Sequence, residues 1–220
     1  MKLQRSDAWL AVATAWLAFA CGGSNGGGTG PCTPGLATQL VKNGGDPTWY
    51  VNNPLPAPLG VTARDANGCA VPGTVVNWSI TTGGGGLSPA QVTTNAAGIA
   101  SVSDSLGGAT TQIVTAASAG TNSPVFNVTG MTPPTAADVS VGNNFFSPAD
   151  TAVKVGGTGT WTWNSGGTTH TLTFTSGPPP LPGETVQGMG TKVITFNTAG
   201  TYGYHCTIHA GMTGTLRVVH

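Results

Sequence analysis

The chain has 220 residues, with 35 Gly and 16 Pro and only 6% charged residues against about 25% in an average soluble domain. So much Gly and Pro excludes a helical bundle. A formal net charge of +0, with no run of either sign, leaves nothing to neutralise phosphates, which excludes nucleic acid as a partner. The hydrophobic fraction is 39%, and its Val, Trp, Phe and Tyr are spaced by Thr, Ser and Gly. That pattern predicts an all-β protein of short, half-buried strands joined by turns.

Lys2 and Arg5 precede an uncharged apolar stretch from Ala8 to Ala20, too short to span a bilayer. With the Gly-rich run that follows, residues 1–20 read as an export signal and 21–36 as a flexible tether. Leu17-Ala18-Phe19-Ala20-Cys21-Gly22 resembles a bacterial lipoprotein leader. The resemblance implies lipidation of Cys21 and a lipid anchor to a membrane. Ala18-Phe19-Ala20 also fits ordinary small-x-small cleavage, which would release a soluble exported chain. Either route delivers the protein to the periplasm or cell envelope, an oxidising compartment. Of the four cysteines, Cys21, Cys32, Cys69 and Cys206, the economical pairing is a disulfide between Cys32 and Cys69. Cys206 is then left as a thiol that needs a reason to stay reduced.

Residues 37–130 alternate apolar and polar positions between turn clusters at Asp65-Ala66-Asn67-Gly68, Thr82 to Gly86 and Asn95-Ala96-Ala97-Gly98. Val76, Trp78 and Ile80 share one face, and Ile99 to Ser103 alternates likewise, which predicts a sandwich of antiparallel strands. Val61 to Gly68, Val71-Pro72-Gly73, Leu87-Ser88-Pro89 and Thr93 to Gly98 resemble bacterial Ig-like domains of the invasin and intimin type, which implies a spacer or stalk. Residues 131–136, with Pro133-Pro134, read as a short stiff linker.

Residues 137–220 read as a second domain, a compact Greek-key sandwich or flattened barrel, with seven strands predicted around Val139, Val153, Trp161, Leu172, Ile194, Tyr204 and Leu216. All four histidines, His170, His205, His209 and His220, fall here with Cys206. Cys206-Thr207-Ile208-His209-Ala210-Gly211-Met212 sets a thiolate, an imidazole and a thioether three residues apart, so a tight loop can turn them to one point. One further imidazole completes the ligand set of a blue-copper site. Strand period turns His205 away from the face of Tyr202, Tyr204 and Cys206. His220, at the end of the sequence, is expected to fray, which leaves His170. Tyr202, Tyr204, Trp161 and Trp163 read as core, and Met189 as loop packing.

Phe146-Ser147-Pro148, Val155-Gly156, Trp161-Thr162-Trp163-Asn164, His170 and Gly200 to Cys206 with His209 and Met212 resemble a cupredoxin of the plastocyanin and amicyanin kind. The resemblance implies one type 1 copper per chain, with His170, Cys206 and His209 in a trigonal plane and Met212 as a long axial contact. Thr171 stands where the family often carries an Asn that helps hold the Cys sulfur, a departure that bears on the tuning of the site and not on binding, since backbone donors can do that work. The function implied is single-electron transfer between redox protein partners by a monomeric, non-enzymatic carrier. The rival readings are an envelope copper carrier or buffer and a non-redox adhesion scaffold. Only His205 and His220 are spare, too few for the additional centres of a copper enzyme.

Overall fold

The computed structural model describes residues 32–220. The leader of residues 1–20, Cys21 and the tether as far as residue 31 lie outside the described residues. Every regular element among those described is a strand. The first nine are β1 (Gln39–Lys42), β2 (Thr48–Tyr50), β3 (Leu59–Arg64), β4 (Val75–Thr82), β5 (Gly85–Ser88), β6 (Gln91–Thr93), β7 (Ile99–Leu106), β8 (Thr111–Ala117) and β9 (Val125–Met131). They form two sheets, ordered β1-β3-β7-β5 and β2-β9-β8-β4-β6. Alternation decides which side chains enter the core. In β7, Ala100, Val102, Asp104 and Leu106 are buried while Ser101, Ser103 and Ser105 face out. Trp78 of β4 and Phe126 of β9, both buried on the core face of the second of these sheets, have ring centroids 5.9 Å apart.

The other nine are β10 (Ala136–Gly142), β11 (Phe145–Ser147), β12 (Asp150–Lys154), β13 (Gly157–Trp163), β14 (His170–Ser176), β15 (Thr185–Gln187), β16 (Gly190–Phe196), β17 (Gly200–His205) and β18 (Thr213–Val219). Their sheets run β11-β10-β13-β16 and β12-β18-β17-β14-β15. Trp161, fully buried, sits edge-on to Tyr204 at 5.4 Å and to Phe174 at 5.7 Å, the geometry the ring quadrupoles favour. Gly214 allows this packing, because a Cβ there would strike the Tyr204 ring. β14 and β17 are antiparallel, with Thr173 opposite His205. The start of β14, the end of β17 and the start of β18 therefore meet at one end of the sandwich.

Three expectations need correction. The second sandwich has nine strands where seven were read, because β11 and β15 are three residues each, too short for alternation to show. The Thr82 to Gly86 cluster is not one turn: Gly85 and Gly86 join β5 opposite Leu106 and Ser105, and a Cβ at Gly85 would collide with the Ser105 carbonyl. Met189 is not loop packing, since it stands 75% exposed in the turn between β15 and β16.

Candidate metal centre

The site lies where the aromatic core reaches the end of the sandwich. Tyr202 and Tyr204 are buried on β17, and the next residue on that face, Cys206, is only 4% exposed. His205 points to the other face and is half-buried. His170 opens β14 with no exposed surface, and Leu172 and Phe174 on the same face fasten its strand into the core. Beyond Cys206 the chain makes a tight loop. The Cys206 N–H donates to the Met212 carbonyl at 3.0 Å and the Met212 N–H to the His209 carbonyl at 3.3 Å. Gly211 turns through φ +82°, in the left-handed region where glycine carries no Cβ penalty.

The result is a cluster of three donors. The Cys206 Sγ lies 3.5 Å from His209 Nδ1 and 3.9 Å from His170 Nδ1, and ligand atoms of all three lie within 4.8 Å of one another. The two imidazole rings are 4.5 Å apart, tilted by 39°. Met212, 1% exposed, belongs to the same buried core as Cys206, and its carbonyl accepts from the Cys206 N–H. The exposed Ala210 and Ile208 flank the half-buried His209, so one imidazole is sealed in the core and the other sits under the surface.

A second layer holds the sulfur. The Thr171 N–H donates to Cys206 Sγ at 3.3 Å. The Thr171 hydroxyl accepts from the Thr207 N–H at 2.7 Å and lies 3.0 Å from the Thr207 hydroxyl. β14 is thus stitched to the Cys206 loop by one buried threonine. The family's usual Asn is absent, and a backbone donor reaches the sulfur as expected. The contribution of the Thr171 hydroxyl, and Thr207 as its partner, were not foreseen from sequence; both are common polar residues whose pairing is made only by folding. Burial pushes the Cys206 thiol up. The Thr171 N–H, the His209 side chain and the N–H groups of Ile208 and His209 outweigh it and bring the group down to about 6. The thiolate, the form that binds metal, is thereby favoured.

Cys206 is a buried free thiol, whereas Cys32 and Cys69 are both disulfide-bonded. His220 does not fray. Its main-chain N–H donates to Asn53 Oδ1 at 2.9 Å and its carbonyl accepts from Asn53 Nδ2 at 2.9 Å.

The donor set fits copper. One soft thiolate and two imidazoles on a stiff framework suit a soft-to-borderline ion and not a hard one. A β-sandwich carrying such a cluster at one end defines a cupredoxin. The profile of the copper binding proteins, plastocyanin/azurin family, matches residues 135–219. The chain belongs, through its second sandwich, to that family, and this sandwich is a copper-binding domain of the electron-transfer type.

Similar solved structures include a reduced amicyanin variant, 32% identical, aligned over 38% of this chain and 81% of that one with a TM-score of 0.34. A purple cupredoxin from Nitrosopumilus maritimus is 23% identical over 37% of this chain and 98% of that one, with a TM-score of 0.34. Plastocyanin from Dryopteris crassirhizoma is 28% identical over 37% of this chain and 99% of that one, with a TM-score of 0.32. No curated protein matches the chain.

Proposed function

We propose that this protein is an exported carrier of single electrons in the cell envelope. In this reading His170, Cys206 and His209 would hold one copper with Met212 as a further, weaker donor, and the first sandwich serves as an Ig-like stalk. The observation that carries the reading is the convergence of both imidazole Nδ1 atoms on the free Cys206 sulfur, at 3.5 and 3.9 Å. When bound, copper takes up and releases one electron by cycling between Cu(II) and Cu(I).

The protein's part is to keep the ligands still while the charge changes. Thr171 and Thr207 hold the sulfur, β14 holds His170 in the core, and the Cys206–Met212 main-chain bond closes the loop. Electrons would pass through the edge of His209, where the exposed Ile208 and Ala210 offer an apolar patch to a redox protein partner. The placement of the spare imidazoles supports a carrier over an enzyme: His205 faces away from Cys206, and His220 follows the far end of β18. Export by residues 1–20 and lipidation of Cys21 complete the reading, with the Cys32 and Cys69 sulfurs paired to each other in an oxidising compartment.

The test is to add Cu(II) to the full chain and follow visible absorption. An intense thiolate-to-copper band that vanishes in Cys206→Ser, with a reversible one-electron wave and slow copper loss to a chelator, is the expected result. A colourless wild-type protein overturns the copper reading, and rapid handover to the chelator replaces electron transfer with copper delivery.

A further inference from the structure

We propose that the first sandwich is no swinging stalk but is clasped to the second by Asn53, so that the two move as one rigid body. The side-chain amide of Asn53 pairs with the main chain of His220 in both directions, giving and taking a hydrogen bond at 2.9 Å each. This is the pattern of a residue pair in an antiparallel sheet, supplied here by a side chain. Asn53 is 4% exposed, and its remaining amide hydrogen goes to the Val51 carbonyl at 2.7 Å. A buried amide with its donors used and its oxygen paired is costly to detach.

Both halves of the clasp are themselves anchored. The strap that carries Asn53 is bonded to the end of β7 and the residue after it: Asn52 N–H to the Gly107 carbonyl, Leu106 N–H to the Asn53 carbonyl and Leu55 N–H to the Asp104 carbonyl, at 3.1, 3.0 and 2.8 Å. His220 directly follows β18, where the Val219 carbonyl accepts from the Val155 N–H at 2.7 Å. The covalent joint is equally short. The Met131 carbonyl is held by the Val51 N–H at 3.0 Å, on the first sandwich. The Pro134 and Thr135 carbonyls are held by Lys154 and Thr158 N–H groups at 2.8 and 3.0 Å, on the second. Only Thr132 and the buried Pro133 lie between these anchors. A hinge of two residues closed by a second, non-covalent tie has little freedom left.

The consequence concerns access. The clasp sits at the Val219 end of β18 and the ligand loop at its Thr213 end, seven residues or roughly 23 Å away at about 3.3 Å per residue. The first sandwich is thus held at the pole opposite His209 and cannot fold over the face a partner would use.

Backbone relaxation measured by NMR on the full chain tests this without reference to metal. In the wild type both sandwiches should tumble with one rotational correlation time. Asn53→Ala should split it into two shorter, unequal values. His220→Pro, which removes the donated N–H from the other side and leaves the first sandwich untouched, should do the same and covers a folding defect in the Asn53 variant. His220→Ala should change nothing, because the clasp reads main chain and not imidazole. Two independent correlation times in the wild type, or a single unchanged one in both Asn53→Ala and His220→Pro, overturns the proposal.

Discussion

Asp104 in the first sandwich and Cys206 in the second are both buried acids, and the two are treated in opposite ways. Asp104, on the core face of β7, is 2% exposed, and neither carboxylate oxygen has a hydrogen-bond partner. Burial pushes its pKa up, and the Gln112 side chain, whose amide donates instead to the Gly84 and Ser105 carbonyls, only partly opposes it. Cys206 is about as buried, yet the N–H groups gathered around its sulfur outweigh the burial and bring it down to about 6. Depth in the core therefore does not decide charge; the donors aimed at the group do. In the first sandwich the surroundings of Asp104 disfavour its charged form relative to an exposed acid. In the second the surroundings are arranged to hold a negative sulfur, which is what a metal centre requires. The other cysteines extend the contrast, since Cys69 is as well buried as a core residue but is disulfide-bonded.

The two sandwiches differ most in what their core tryptophans support. Trp161→Ala and Trp78→Ala should each cost about 3–5 kcal/mol of stability by denaturant unfolding. Only the Trp161 change should abolish the copper absorption, because Trp161 packs on the Tyr204 strand that carries Cys206. Loss of colour in Trp78→Ala as well would show that the two cores are not separate.

A smaller effect is expected from the threonine that holds the sulfur. Thr171→Val keeps the shape and the donated N–H but removes the hydroxyl that accepts from Thr207. Copper affinity in a chelator competition should fall by about 10–100-fold, with a shifted reduction potential, and Thr171→Ser should restore both. If the valine variant binds and cycles copper like the wild type, the threonine bridge has no part in positioning the ligand.

The smallest effect is expected at Asp104. The folded-state pKa of Asp104 is raised above its unfolded value of about 3.9, so its contribution favours the fold at low pH and is lost as pH rises through the folded value. Asp104→Asn should therefore be more stable than the wild type at neutral pH by about 1 kcal/mol, with the gap closing toward pH 4. A gap equal at both pH values would mean that the carboxyl does not titrate in the core.

Much of this was legible in the chain. Alternation placed Val76, Trp78, Trp161, Leu172 and Tyr204 in cores because strand side chains have a period of two, a local property. The ligand loop was legible for the same reason: Cys206, His209 and Met212 lie close in sequence, and period alone turned His205 aside. β11 and β15 were missed because three residues do not make a period. Met189 was misread because exposure in a turn depends on what packs there.

The residue types and their local spacing set the strands and the placing of Cys206, His209 and Met212 on one loop, since these follow from geometry within a few bonds. Only the folded chain could bring Thr171 to the sulfur of Cys206, leave Asp104 without a donor and close the amide of Asn53 on the main chain of His220. Those pairs are separated by 35 and 167 residues in the two bonded cases. Contacts at such range are made by sheet pairing and core packing, which no short stretch of sequence contains.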